Sequence, residues 1–440
     1  MGRALATHPP VTRRYRLANG LRVLLAPIPQ SPTVSVWVWY SVGSRQEWPG
    51  ITGASHWIEH MLFQGSPRYA KGEIDRAIIE VGGTLNAFTD SDFTAYFSTV
   101  PREFWAVPLD IEADRMTRAQ LEDAEVERER TVVLSEREGN ENWPQFRVEE
   151  ELYQLAFRQH PYRWDALGRR EDIERITPAE LREYYRRYYG PRNATLVVAG
   201  AFDPSALRGE IERRFRALPA SGELPAPLPP EPAARGERRA TLRGPGTTPL
   251  LQIGWRAPAL DSPDTPALLA LDALLGGEVA LFRGGGAGGH RSDHPNSRLY
   301  RALVDSGLAV RATSHWPPRV DPGLFTIQAQ AAPGVPAAKV EEAILTQTER
   351  LARRPPSARE LAEVRTRARR GVEAAYEGAS RTAFRLGFFE TLGGRALEGT
   401  LYRAFQRVSG QEILEAARHL FVAEGRSTVI YEPIGGAEDA

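Results

Sequence analysis

The chain has 440 residues, with 56 basic and 56 acidic side chains and no cysteine. Its length exceeds what one hydrophobic core usually organises, and the balanced charge gives no basis for binding nucleic acid or an anionic membrane surface. Without cysteine there are no disulfides, thiolate ligands or cysteine nucleophiles, so any metal must sit on His, Asp or Glu. Met1–Pro10 lacks an apolar stretch of signal-peptide length and no run approaches the roughly 18 apolar residues of a span, so a cytoplasmic protein without membrane contact is expected. All but two of the basic residues are arginine, Lys71 and Lys339 being the lysines, which reads as genome composition or heat adaptation rather than function.

Valine and aromatic residues dominate Leu21–Leu25, Thr33–Tyr40 and Thr94–Val100, which read as strands. Between the second and third of these lies Gly53-Ala54-Ser55-His56-Trp57-Ile58-Glu59-His60-Met61-Leu62-Phe63, whose apolar spacing predicts a helix ending near Gly65. Val126–Asn142 reads as a charged helix. Thr177 is placed to cap a helix running through Arg182, Tyr185 and Tyr188, and the strand Ala194–Ala199 follows. Leu218–Arg235 contains six prolines and holds neither helix nor central strand. Near the carboxyl end Ser409 caps a helix through Ile413, Ala416 and Leu420, followed by the strand Ser427–Tyr431, so the two halves end alike. The fold class expected is α+β: two homologous domains, each a mixed, largely antiparallel sheet covered by helices, with boundaries at 1–218, a proline-rich linker at 219–236 and 237–440.

On a helix His56 and His60 lie one turn apart on the same face, where two imidazoles ligate one metal, and Glu59 stands near enough to take a proton from water that a metal acidifies. The bland alternative is helix residues pairing with one another. A second partial match, His290-Arg291-Ser292-Asp293-His294, follows Gly284–Gly286 and Gly288-Gly289 and precedes Pro295, so no helix aligns its histidines. A catalytic zinc takes three protein ligands and keeps one open position, so a third ligand has to come from elsewhere. Glu129 and Glu136 are seven residues apart and share one helix face. The apolar run Val132-Val133-Leu134 argues that part of this helix is buried.

With these residues the chain resembles the pitrilysin and mitochondrial-processing-peptidase family of inverted-motif zinc peptidases, the inverzincins. The family pairs its motif with a glutamate about 76 residues downstream, and Glu136 lies 76 positions after His60. The resemblance implies one Zn2+ per chain held by His56, His60 and Glu136, with Glu59 as general base and Glu129 supporting the site. Gly82-Gly83-Thr84-Leu85-Asn86-Ala87-Phe88-Thr89 is similar to the family's edge strand, and implies that Asn86 and Ala87 take an extended peptide by β-addition. His160-Pro161-Tyr162, Tyr189–Ala194 and Ser297-Arg298-Leu299-Tyr300 are further landmarks, so the likeness spans nearly the whole chain.

One departure stands out against that pattern. Relatives place an arginine and a tyrosine after the last landmark to hold substrate, whereas Leu303–Val310 here presents valines near both positions. The implied function is an endopeptidase enclosing peptides or unfolded segments, working as a heterodimer with a homologous subunit that carries the arginine-tyrosine pair; a homodimer stays open. Gly284, Gly285 and Gly286 are candidate substrate contacts or a plain surface loop. A non-catalytic scaffold or a peptide-binding subunit of the same fold remains the alternative.

Overall fold

The sequence TVSVWVWY of Thr33–Tyr40 is buried at every position after Thr33, so this strand is covered on both faces and belongs in the middle of a sheet. In the computed structural model, which describes residues 12–277, 294–394 and 396–434, it does so. Gly284, Gly285, Gly286 and His290 lie outside the described residues.

The first half supplies strands β1 (Arg13–Arg16), β2 (Arg22–Pro27), β3 (Thr33–Tyr40), β4 (Thr84–Thr89), β5 (Thr94–Pro101) and β6 (Ala194–Gly200). They form a sheet in the order β1-β2-β6-β3-β5-β4. The second half supplies β7 (Arg238–Pro245), β8 (Leu250–Ala257), β9 (Ala309–His315), β10 (Gly323–Ala331) and β11 (Arg426–Ile434), ordered β7-β11-β8-β10-β9. Apart from β1 the two orders are the same, and each sheet has one parallel pair, β2 with β6 and β7 with β11. All other pairings are antiparallel. The fold is thus α+β, with a mixed and largely antiparallel sheet in each of two domains. Edge strands β4 and β9 occupy equivalent places.

The helices are α1 (Ala54–Met61), α2 (Glu73–Glu80), α3 (Ala106–Arg118), α4 (Asp123–Glu141), α5 (Pro144–Ala156), α6 (Arg170–Ile173), α7 (Pro178–Tyr188), α8 (Pro204–Phe215) and α9 (Thr265–Leu275) in the first part of the chain. After residue 293 come α10 (Ala337–Arg353), α11 (Ala358–Ala375), α12 (Ala379–Leu392), α13 (Ala396–Arg407) and α14 (Gly410–Leu420). Thr177 and Ser409 each close a capping box, with Glu180 and Glu412, at the start of the helix that feeds the parallel strand. No helix among the described residues is long and apolar enough to cross a membrane.

Two helices are exchanged between the halves. Helix α12, from the second half, lies on β3, β6 and β2 of the first sheet, where Ala383, Leu386 and Phe389 join Trp37, Trp39, Phe93 and Val197 in one core. Reciprocally, α5 packs Val148, Leu152 and Ala156 on β8, β11 and β7 of the second sheet. Arg14 pairs with the buried Glu390 of α12 at 2.6 Å. The approach of α12 is set by Gly387, since a Cβ there would stand 2.0 Å from Trp39 Nε1. Gly387→Ala is therefore expected to cost about 1–3 kcal/mol of stability despite alanine's better helix propensity, read by chemical unfolding.

Candidate metal centre

Helix α1 begins after Gly53, whose φ of 91° is open to glycine and strained for other residues. The helix buries Ala54, Trp57, Ile58 and Met61 in the first domain's core, and its other side meets α4. It stops at Met61, earlier than Gly65, and the chain reaches Gly65 through tight turns in which Phe63 N–H donates to His60 C=O and Gln64 N–H to Met61 C=O.

Its amino end is held by a residue that sequence reading passed over. The carboxylate of Glu47 accepts the N–H groups of Gly53 and Ser55, both at 2.8 Å, satisfying two orphan donors where the helix dipole favours negative charge. Burial nevertheless pushes Glu47 up from 4.5 to about 7. A carboxyl raised on folding favours the native state fully below its unfolded value, and that contribution is lost as pH rises from about 4.5 through about 7. Glu47→Gln, measured on metal-free protein by denaturant unfolding at pH 5 and pH 7.5, should show a shallower loss of stability with pH, by up to roughly 3 kcal/mol.

Helix α4 buries Val126, Glu129, Val133 and Arg137 along one face; of the apolar run, Val132 is 48% exposed, Val133 is buried and Leu134 packs half-buried against the core. That face presents Glu129 and Glu136 to α1. His56 Nε2 and His60 Nε2 are 3.2 Å apart, and Glu136 Oε2 is 3.6 Å from the first and 3.4 Å from the second. These three make the one cluster of metal-ligand type found among the described residues. Donors about 2.0–2.1 Å from a tetrahedral zinc stand about 3.3 Å from each other, so the three edges fit that ion. The half-exposed Glu136 leaves the cluster open on one side. His60 Nδ1 donates to Glu129 Oε1 at 2.8 Å, and Gln64 Nε2 donates to Glu129 Oε2 at 3.0 Å. Such a carboxylate fixes the tautomer and orientation of a ligating imidazole.

The electrostatics agree with a site that wants a cation. Burial, then the nearby His60, pushes His56 down to about 4. Burial also acts against the charge on His60, but its bonds to Glu129 and Glu136 outweigh it and raise that group to about 9. The bond from His60 draws Glu136 below its usual value. A single positive charge among these groups is thus favoured, which a metal ion held by them would supply. Burial lifts Glu59 to about 7, a value suited to exchanging protons near neutrality.

Glu59 also touches the free edge of the sheet, because Thr89 at the end of β4 donates its hydroxyl to Glu59 Oε2 at 2.5 Å. Asn86 is exposed on β4 and Ala87 buried; Asn86 Oδ1 accepts the Ala87 N–H at 2.8 Å. His56, Glu59, His60, Glu129 and Glu136 are therefore brought together, with Asn86 and Ala87 on the adjoining edge strand. Thr89 lay inside the glycine-led stretch already noted in the sequence, but without its partner nothing marked it.

Known proteins resemble the chain in sequence and in fold. Residues 22–168 match the model described as Insulinase (Peptidase family M16), and residues 175–368 match Peptidase M16 inactive domain. The zinc protease PqqE of Helicobacter pylori is 30% identical over 341 residues, covering 76% of this chain and 73% of its own. The crystal structure of a protease from Helicobacter pylori superposes with a TM-score of 0.89 at 26% identity, over 96% of this chain and 100% of that one. The periplasmic protease PqqL of Escherichia coli shares the fold, with a TM-score of 0.76 at 19% identity over 96% of this chain and 48% of that chain; this chain thus spans about half of PqqL. By sequence and by fold, the chain belongs to peptidase family M16.

Proposed function

We propose that the chain is a zinc-dependent endopeptidase in which His56, His60 and Glu136 hold the metal, Glu129 orients His60 and Glu59 is the general base. The observation that carries this reading is the convergence of two imidazole nitrogens and a carboxylate oxygen within 3.6 Å, beside the half-buried carboxylate of Glu59 that touches the edge strand β4. Zinc, when bound, polarises a peptide carbonyl and acidifies water. Glu59 takes the proton from the attacking water and returns it to the leaving amine. The outer edge of β4, at Asn86 and Ala87, receives the substrate as an added strand, so backbone groups supply affinity that is largely independent of sequence. Extended or unfolded segments are the substrates this favours.

The second half offers no arginine and tyrosine where relatives hold substrate, since Val304 and Val310 stand near those places and Val310 is 50% exposed. We therefore place the complete active site in a pair of homologous chains, the partner supplying that pair. The likeness of this chain to half of PqqL supports a functional unit of two such lengths. Zinc stoichiometry followed by peptide cleavage with and without a homologous partner tests both parts. One bound zinc with cleavage is expected. Zinc without cleavage in either case leaves a peptide-binding subunit, and full activity of the monomer removes the partner.

A further inference from the structure

The side chain that touches Glu59 has a single proton to give. Two acceptors lie within reach of the Thr89 hydroxyl, Glu59 Oε2 at 2.5 Å and Thr94 Oγ1 at 3.4 Å. The carboxylate wins by distance and by charge. Thr94 gives its own proton to the Val42 carbonyl at 2.8 Å. One oxygen of Glu59 is thus committed to Thr89.

Thr89 is in turn held from the far half of the chain. It pairs with Thr94 at the mouth of the β4–β5 hairpin, whose tip is Asp90–Asp92. That tip packs on Gly43, where a Cβ would stand 2.0 Å from the Asp90 carbonyl oxygen. Against it lies a loop of the second half. Arg319 bonds the Asp90 carboxylate, and Val320 N–H donates to Asp92 Oδ2 at 3.1 Å. Tyr162 links the two sides, donating to Asp92 Oδ1 at 2.7 Å and accepting the Asp321 N–H at 3.2 Å. Asp321 is itself held by Arg45 at 2.5 Å and His160 at 3.0 Å. Asp92, at the centre of this clasp, is 4% exposed, while Val320 on its outer side reaches the surface.

We propose that Thr89 is a positioning residue for Glu59, and that the second half of the chain fixes it through the clasp of Arg319, Val320 and Asp321 on the hairpin tip. The inference rests on the proposed peptidase reading and gives the metal-free half a task in the first half's chemistry. Outer-shell partners of this kind are worth about 10–100-fold when removed.

The test compares Thr89→Val, which keeps shape and loses the hydroxyl, with Thr89→Ser, which keeps the hydroxyl, in the zinc-loaded chain with its homologous partner present. Thr89→Val should lower kcat about 10–100-fold with KM and zinc content unchanged, and Thr89→Ser should restore most of the rate. Equal rates for Thr89→Val and the parent, or equal losses for both variants, overturn the proposal. A readout without turnover uses metal-free protein: the fall in melting temperature of the double variant Thr89→Val with Glu59→Leu should be smaller than the sum of the two single falls, and strict additivity overturns direct coupling. Arg319→Met, shown folded by its melting curve, should reduce kcat several-fold at unchanged zinc content; an unchanged kcat overturns the clasp. If Glu59→Gln is inactive while Thr89→Val is fully active, only the positioning role fails. If Glu59→Gln is active, the peptidase mechanism itself fails.

Discussion

Glu59→Gln is expected to keep zinc and fold and to lower peptide hydrolysis by a factor on the order of 10²–10⁴. The amide has the shape of the carboxylate and still offers an oxygen to the Thr89 hydroxyl, so the β4 hairpin keeps its contact with α1. What it loses is basicity: an amide oxygen does not take a proton from water near neutral pH, and the leaving amine finds no donor. Because the interaction is realised in the transition state, kcat falls while KM changes little. The metal cluster is untouched, since His56, His60 and Glu136 supply its donor atoms. Steady-state kinetics with zinc analysis on the same preparation check this, and a Glu59→Gln enzyme cleaving at the parent rate would remove the base.

A second large effect is expected at His60, the residue most tightly bound into the cluster. His60→Ala removes one donor and leaves Glu129, which is 7% exposed, without its imidazole partner. Zinc stoichiometry should fall from one per chain to near zero. Glu129→Gln removes only the orienting charge and should weaken zinc by about 10–100-fold with the stoichiometry intact. Stability follows the same grading. A ligand at 100 times its Kd stabilises the native state by about 2.7 kcal/mol, so the parent should melt lower once a chelator is added and His60→Ala should not respond. Equal zinc affinity in the parent and His60→Ala would place the metal elsewhere.

How far the sequence reached depended on how local each signal was. The strand Thr33–Tyr40 and the helix openings at Thr177 and Ser409 follow from patterns within a dozen residues and form as expected, and the strand expected at Ala194–Ala199 runs one residue further, to Gly200. The meeting of α1 with Glu129 and Glu136 needed a resemblance, because no periodicity says which charged face of α4 turns inward. Burial of Val133 but not Val132 shows how fine that distinction is. Glu47 and Thr89 were illegible for a related reason. Each acts through side-chain hydrogen bonds that no periodicity encodes, Glu47 on the amino end of α1 and Thr89 on Glu59, and an acid after a short turn or a threonine ending a strand looks the same with or without them. The exchange of α5 and α12 was hidden too: an amphipathic pattern states that a helix buries a face, not which sheet receives it.

That exchange has a consequence for how such a molecule admits a substrate. Each sheet is roofed by a segment grown from the opposite half, and the clasp at Asp92 ties the same halves again. Swinging them apart would strip Trp39 and Leu250 of their cover and expose both cores at once. A chain built this way is expected to melt as one cooperative body, and a single proteolytic nick in the residues between α8 and β7 to leave its fragments together. On the proposed pairing of homologous chains, substrate entry and exit would follow the separation of whole subunits rather than a flexing of either chain.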